Sequence, residues 1–417
     1  MSELTLTLSQ PAQLGDRARK DFVLSTLEYV PGSVVRGAFA AAWLARHGVS
    51  APGTPQREEF LNLFEGGVRF GSLLREGTEF MSLAVAGHKY DPTDACDYVD
   101  YDRAMGDEPP SHCPCRDCES PLEQLKGLHG GRPDVRRRTS TAIGESGVAV
   151  DRTLFTRETL QAGQVFRGTI VADENLRAIL AGLGPVRIGG RRTTHGLAQV
   201  SIRDGGPPPT AQRRPDGMLV VRLRSPGIFT DACGRPASHP SAEELEEVLG
   251  VPARVVKSWT RWEQAGGWHA ASGLPKPQEL AVCAGSTFLI HPERTVDDSA
   301  LVKLGARGLG LRRHEGFGDL APPPVLRQGR TARETEARRI RELTDSAAPL
   351  RRIQTHPRAW QKMLELMTAH AAGDTGATEA LRRLGSGHPD ADVCAAMDFF
   401  LGLPPRDAAR VAEVLGR

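Results

Sequence analysis

The chain carries one series of signals twice, and this restricts its fold more than any other feature. Ala162-Gly163-Gln164-Val165-Phe166 returns about 120 residues later as Ala284-Gly285-Ser286-Thr287-Phe288. Each copy opens a stretch rich in β-branched and apolar residues, Val165 to Val171 and Thr287 to Ile290, which reads as a strand. A helical pattern follows each. Leu176, Ile179, Leu180 and Leu183 recur at i, i+3, i+4 and i+7 within Glu174 to Leu183, and Asp297 to Leu304 is a shorter version. Both copies then enter a glycine-rich loop with paired arginines, Arg187-Ile188-Gly189-Gly190-Arg191-Arg192-Thr193-Thr194-His195-Gly196 in the first and Gly308-Leu309-Gly310-Leu311-Arg312-Arg313-His314-Glu315-Gly316-Phe317-Gly318 in the second. The openings correspond too: Leu4 to Leu8 alternates as a strand and runs into Ser9-Gln10-Pro11, and Leu219 to Leu223 reads likewise before Ser225-Pro226. One order of strand, helix and basic loop, met twice, implies two homologous α+β units.

The seam falls near Asp204 to Asp216, where Gly205-Gly206-Pro207-Pro208-Pro209 has the composition of a linker. A second break follows at Ala321-Pro322-Pro323-Pro324. Beyond it, Thr331 to Leu343, Ala359 to Ala372, Ala377 to Leu384 and Asp392 to Leu401 are helical in pattern. The expected organisation is thus a first domain over 1–206 with a polar insertion at about 88–140, a second over 216–325, and a helical extension over 330–417. The longest apolar run, Ala38 to Ala45, is far short of the roughly 18 residues a membrane span needs, so no membrane association is expected and a cytoplasmic location is.

Seven cysteines in 417 residues do not make a disulfide scaffold, but three of them, Cys113, Cys115 and Cys118, fall within six residues. With Cys96 upstream they supply the four soft ligands of a structural zinc site, and His88, His112 and His129 stand near enough to replace one of them. Such a site would pin an insertion too polar to form its own core.

The basic residues number 53 against 51 acidic, and 46 of the 53 are arginine. Arginine forks onto phosphates and stacks on bases, although a GC-rich genome also favours it. In the two loops, glycine lets the backbone approach a phosphate chain and the arginine pair supplies bidentate donors. A tight turn with solvated arginines accounts for either loop alone; recurrence in equivalent places favours a ligand. Neither loop spaces its glycines as a dinucleotide or P-loop motif. Arg136-Arg137-Arg138 adds a second basic run, and Lys257, Arg261 and Lys276 flank Trp259, Trp262 and Trp268. No hydrolase or protease motif is present. His195 and His314 are general bases by type, each inside an arginine loop that binding explains equally well.

Pro31-Gly32-Ser33-Val34-Val35-Arg36-Gly37-Ala38, the two arginine loops, Arg138 with Leu154-Phe155 and Gly163, and above all Ile228-Phe229-Thr230-Asp231, Gly266-Gly267-Trp268, Gly273-Leu274-Pro275-Lys276-Pro277 and Glu315-Gly316-Phe317-Gly318 resemble the RAMP superfamily of CRISPR effector subunits. With Cys115 and Cys118 followed by Pro121-Leu122, the chain looks like the large double-RAMP subunit of type III-D systems, over about residues 1 to 325. The resemblance implies two tandem ferredoxin-like (RRM-like) domains and a crRNA-binding role at the five-prime repeat handle. It also implies contacts with other RAMP subunits, the complex's large subunit and, indirectly, target RNA. On this basis Arg36, Arg136, Arg137, Arg138, Arg187, Arg191, Arg192, His195, Trp268, Lys276, Arg312, Arg313 and His314 are expected to face RNA. The alternative is an endoribonuclease acting on pre-crRNA or target. The acidic loop residue of RNA-cutting relatives has no clear counterpart; Asp151 is the nearest, and no catalytic residue is assigned.

Overall fold

The computed structural model describes residues 1–15, 23–88, 96, 99–114, 118, 120–150, 153–190, 193–269, 274–327, 332–353 and 357–416. Met1–Thr93 and Asp100–Arg327 form one compact unit, and Gln328–Arg417 is the body of a second.

In the larger unit the two repeats form two sheets of one topology. In the first, Ser2–Leu8 lies between Leu197–Asp204 and Val165–Val171, and Arg69–Phe70 flanks Val165–Val171 on its far side, all antiparallel. In chain order the strands stand 4-1-3-2, with helices Gly32–His47 and Pro55–Glu65 between the first and second and Glu174–Gly182 between the third and fourth. In the second repeat Leu219–Arg222, Ala253–Trp259 and Thr287–Pro292 take the first three places in the same 1-3-2 arrangement, with helices Ala242–Leu249 and Asp298–Arg307 in the corresponding connections. The fourth strand survives only as the bridge between Leu320 and Leu223, because Pro322, Pro323 and Pro324 follow and offer no N–H to a ladder. Gln212–Arg213 pairs along that edge instead.

The repetition extends to single hydrogen bonds. The Leu8 amide donates to the Gln164 carbonyl at 2.9 Å and the Leu223 amide to that of Ser286 at 2.9 Å; the amides of Gly163 and Gly285 donate back to Leu8 and Leu223 at 2.7 and 2.8 Å. In the arginine loops, the Gly196 amide reaches the Pro11 carbonyl as the Gly318 amide reaches that of Pro226, at 2.9 and 2.8 Å. Gly196 and Gly318 have φ of +79° and +69°, and a Cβ on either would collide with the Ile188 or Leu309 carbonyl, so the position admits only glycine.

Each repeat buries its own core. Leu4, Leu6 and Leu8 point inward in strict alternation against Phe39, Trp43, Phe64 and Phe166. The second core gathers Leu219, Val221, Leu223, Leu245, Phe288 and Leu304. Leu219–Arg222, however, does not alternate: all four residues are buried. Its other face is roofed by the first repeat's insertion, whose Leu83, Ala84 and Ala104 pack on Val220, Trp259 and Leu289. A strand covered on both faces reads as a continuous apolar run. Trp259 is therefore a core residue, 7% exposed.

The smaller unit consists of helices Ala332–Ala347, Pro357–Ala371, Thr375–Ser386, Ala391–Leu401 and Pro405–Leu415 around Met363, Met367, Leu381, Met397, Phe400 and Val411. The last helix extends the sequence expectation; Pro405 opens it at a position where a missing N–H costs nothing. No described helix is long and apolar enough to cross a membrane.

Candidate nucleic-acid interface and metal centre

The first repeat carries a hairpin, Val135–Ser140 with Phe155–Leu160, which the Ala12 to Leu160 bridge ties to the segment after the opening strand. Register places Arg136 opposite Thr159, Arg137 opposite Glu158 and Arg138 opposite Arg157. A groove of about 620 Å³ runs along it, lined by Arg136, Arg137, Arg138 and Arg157 together with Phe155 and His195, and among the described residues no carboxylate lines it. Arg137 donates to Glu158 at 2.7 Å, while Arg136 and Arg138 are exposed. Arg138 and Arg157 are like charges in direct cross-strand register, so an anion lying over both is attracted by the pair. The Arg157 guanidinium sits 5.3 Å from the Phe155 ring centre, so the groove also presents a stacking surface. Four of the residues expected to face RNA thus converge here. Arg157 and Phe155 join them, and only the strand register could have revealed that.

Arg187 shapes the first loop rather than the groove, donating to Gln10 at 3.0 Å and to the His195 carbonyl at 3.2 Å. Arg191, Arg192 and Asp151 lie outside the described residues, and of Trp268 only the backbone is described, paired with Pro275. Arg36 binds the end of the following helix, donating to the Phe64 carbonyl and pairing with Glu65, each at 2.5 Å.

The second loop is occupied by the protein itself. Lys276 donates to both oxygens of Glu315 at 2.9 and 2.8 Å, and Arg312 pairs with Glu279 and with Glu315. These hydrogen bonds from Arg312 and Lys276 outweigh burial and hold the Glu315 carboxyl down at about 2. Arg313 lies 3.5 Å from Glu244, and His314 stands 3.8 Å from Glu65, its pKa lowered by burial and by Arg36. The loop seats on the first repeat at Gly32, where an added Cβ would collide with the Phe70 carbonyl and come within 2.9 Å of the Gly316 Cα. Gly32→Ala is accordingly expected to cost about 1–3 kcal/mol, read as a lowered urea midpoint at unchanged slope. An unchanged midpoint would show that the seam is loosely packed.

In the insertion, His88 closes the short strand Val85–His88, and the Cys113 amide donates to the Ser120 carbonyl at 2.8 Å to close a tight loop containing Cys118. His88, Cys96, Cys113 and Cys118 each offer a donor atom, and these atoms all lie within 4.8 Å of one another. Tetrahedral thiolates at ~2.3 Å from zinc stand ~3.8 Å apart, so the spacing suits one ion. Burial, then Arg327, lowers the His88 pKa and keeps its imidazole in the neutral, ligating form. The donor set could hold a metal, with histidine in one of the four places expected for cysteine; Cys115 lies outside the described residues. Around it, Arg327 grips Asp100 through three hydrogen bonds of 3.0 to 3.3 Å from its side chain.

No family model matches the chain, and no curated protein matches it. Among solved structures, it is similar to a chain of the type III-B Cmr-beta complex bound to cognate target RNA, at 12% identity, 78% of this chain, 99% of that one and a TM-score of 0.42. It is also similar to a chain of the Csm3–Csm4 subcomplex of the type III-A CRISPR–Cas interference complex, at 12% identity, 72% of this chain, 96% of that one and a TM-score of 0.35. A third likeness is to CRISPR-associated protein Cas6, at 10% identity, 78% of this chain, 100% of that one and a TM-score of 0.31. Likenesses this distant carry no assignment by themselves.

Proposed function

We propose that the protein is an RNA-binding structural subunit of a type III CRISPR effector complex, built of two tandem ferredoxin-like RAMP repeats. In this reading it grips the five-prime handle of crRNA, docks neighbouring RAMP subunits and carries a structural zinc ion in its insertion. The observation that carries it is the groove beside the first glycine loop, lined by four arginines and, among the described residues, by no carboxylate. Its chemistry suits a polyanion with a stacking base, and the sequence resemblance names crRNA. Arg136, Arg138 and Arg157 contact phosphates, and Phe155 lies beneath a base. Zinc is the metal of choice for three thiolates and an imidazole, and it fixes the insertion without entering the chemistry of the groove.

The test is binding of labelled repeat RNA across a salt series. Each phosphate contact on a single strand contributes about 0.7 to the slope of log affinity against log salt. Arg136→Glu, Arg138→Glu and Arg157→Glu together are expected to lower affinity about 100-fold and flatten the slope by about 2. Unchanged affinity and slope in the folded triple variant would defeat the proposal. RNA cleavage abolished by His195→Ala would turn the reading to the endoribonuclease.

A further inference from the structure

The basic hairpin is itself part of the duplication. Ala12 and Leu160 exchange backbone hydrogen bonds of 2.9 and 2.8 Å, and Gly227 and Val282 exchange the equivalent pair at 2.8 Å each. Leu160 therefore corresponds to Val282, and the hairpin of Val135–Ser140 and Phe155–Leu160 to that of Trp262–Ala265 and Glu279–Val282. Carrying the register along both strands, Arg136, Arg137 and Arg138 correspond to Glu263, Gln264 and Ala265, and Arg157 to Glu279. Four positive positions in one copy become two negative and two neutral ones in the other. The loop arginines follow suit. Arg312 and Arg313 occupy the chain positions of Arg191 and Arg192, counted from the equivalent glycines Gly310 and Gly189. Arg312 is bound to Glu279, the very residue that stands where Arg157 stands in the first copy.

We infer that only the first copy of this duplicated site binds nucleic acid, and that the second has become an intramolecular clasp whose ligand is the first repeat. The inference rests on the RNA-binding reading above and sharpens it: the RNA tract of this unit is confined to one repeat. Two physical facts support it. Glu263 and Glu279 put carboxylates where the first hairpin puts arginines, so the second hairpin offers a phosphate chain no such donors, and Lys276, Arg312 and Glu315 already meet each other's charges in a half-buried setting, where breaking a pair costs more than an exposed contact returns. The seat at Gly32, the pairing of His314 with Glu65, and the buried Arg69 to Asp319 pair at 3.3 Å all join this loop and its following residues to the first repeat.

The experiment compares Lys276→Gln and Arg313→Gln with Arg136→Glu/Arg138→Glu in the full-length protein, using a fluorescent oligouridylate of about twenty nucleotides as the probe. Both clasp variants are expected to keep RNA affinity within about twofold of wild type and to leave the salt slope unchanged. Lys276→Gln is expected also to lower the melting temperature, because it strips Glu315 of a partner. The groove variant should do the reverse, losing affinity at least tenfold and flattening the slope by about 1 or more at an unchanged melting temperature. A folded Lys276→Gln or Arg313→Gln protein that loses affinity tenfold, with a flatter slope, would overturn the clasp while leaving RNA binding intact. If wild type and the groove variant bind the probe equally, the RNA-binding reading itself fails. The outcomes of the two variant classes therefore separate the two claims.

Discussion

Exhaustive treatment with a strong chelator is expected to draw about one equivalent of zinc from the protein and to release the insertion around His88, Cys113 and Cys118. Structural zinc sites hold apparent free energies of about 10–16 kcal/mol at neutral pH, and in this insertion little else competes with that. Away from the part that roofs the second repeat, apolar packing is thin: Met81, Val85 and Leu125 make one small cluster, and the strands Leu122–Gln124 and Leu128–Gly130 are short and at least partly exposed. The two main cores are built from other residues and should survive. Amide exchange should therefore quicken over 111–130 while the strands Ser2–Leu8 and Thr287–Pro292 stay protected. Cys113→Ser and Cys118→Ser should each reproduce the effect and purify with less than a tenth of the wild-type metal. Wild-type protein without stoichiometric metal, or a Cys113→Ser variant with full metal and an unchanged exchange pattern, would remove the centre from the account.

The second large effect is expected at Asp102. Its carboxylate and the Arg222 guanidinium pair at 3% exposure each, one side chain from the insertion and the other from the second repeat's first strand. Arg222 also reaches Gln212, and Asp102 accepts from the Ala104 amide at 3.1 Å. Truncating one partner leaves the other charge buried, at a cost of about 3–5 kcal/mol. Asp102→Ala should then lower the melting temperature by roughly 4–8 °C, taking about 1.5 °C per kcal/mol for a unit of this size. The joint replacement Asp102→Leu with Arg222→Met should recover most of that loss, since removing both charges also removes their desolvation. A fall of under about 2 °C for Asp102→Ala would mean that water reaches the pair.

The duplication was legible because its markers are obligatory. Gly163, Gly285, Gly196 and Gly318 all sit at positive φ, and at the last three a Cβ would also collide with a backbone carbonyl, so drift could not easily erase them. The paired hairpins were not legible, because Arg136-Arg137-Arg138 and Glu263-Gln264-Ala265 share no residue and only backbone hydrogen bonds relate them. Nor was the fate of Arg312, whose partner Glu279 lies 33 positions away. The apparent alternation of Leu219 to Leu223 failed for a related reason: the roof over Val220 comes from an insertion more than a hundred residues upstream in the other repeat. At the metal centre, closely spaced cysteines announced the chemistry. That His88 joins the donor cluster depended on strand pairing that brings Leu122 opposite it.

The opening strand, finally, sets a clock on synthesis. Among the described residues Ser2–Leu8 pairs only with Val165–Val171 and Leu197–Asp204, so this early-made segment has no strand partner until the third strand is made. At about 5–20 residues per second that wait is roughly ten to thirty seconds, during which Leu4, Leu6 and Leu8 stand exposed on an unpaired strand. The first strand of the second repeat, Leu219–Arg222, meets Thr287–Pro292 after less than half that interval. The nascent chain is therefore most exposed to chaperone capture and to misassembly while its first repeat is being made, and a pause in translation before Val165 would prolong that exposure.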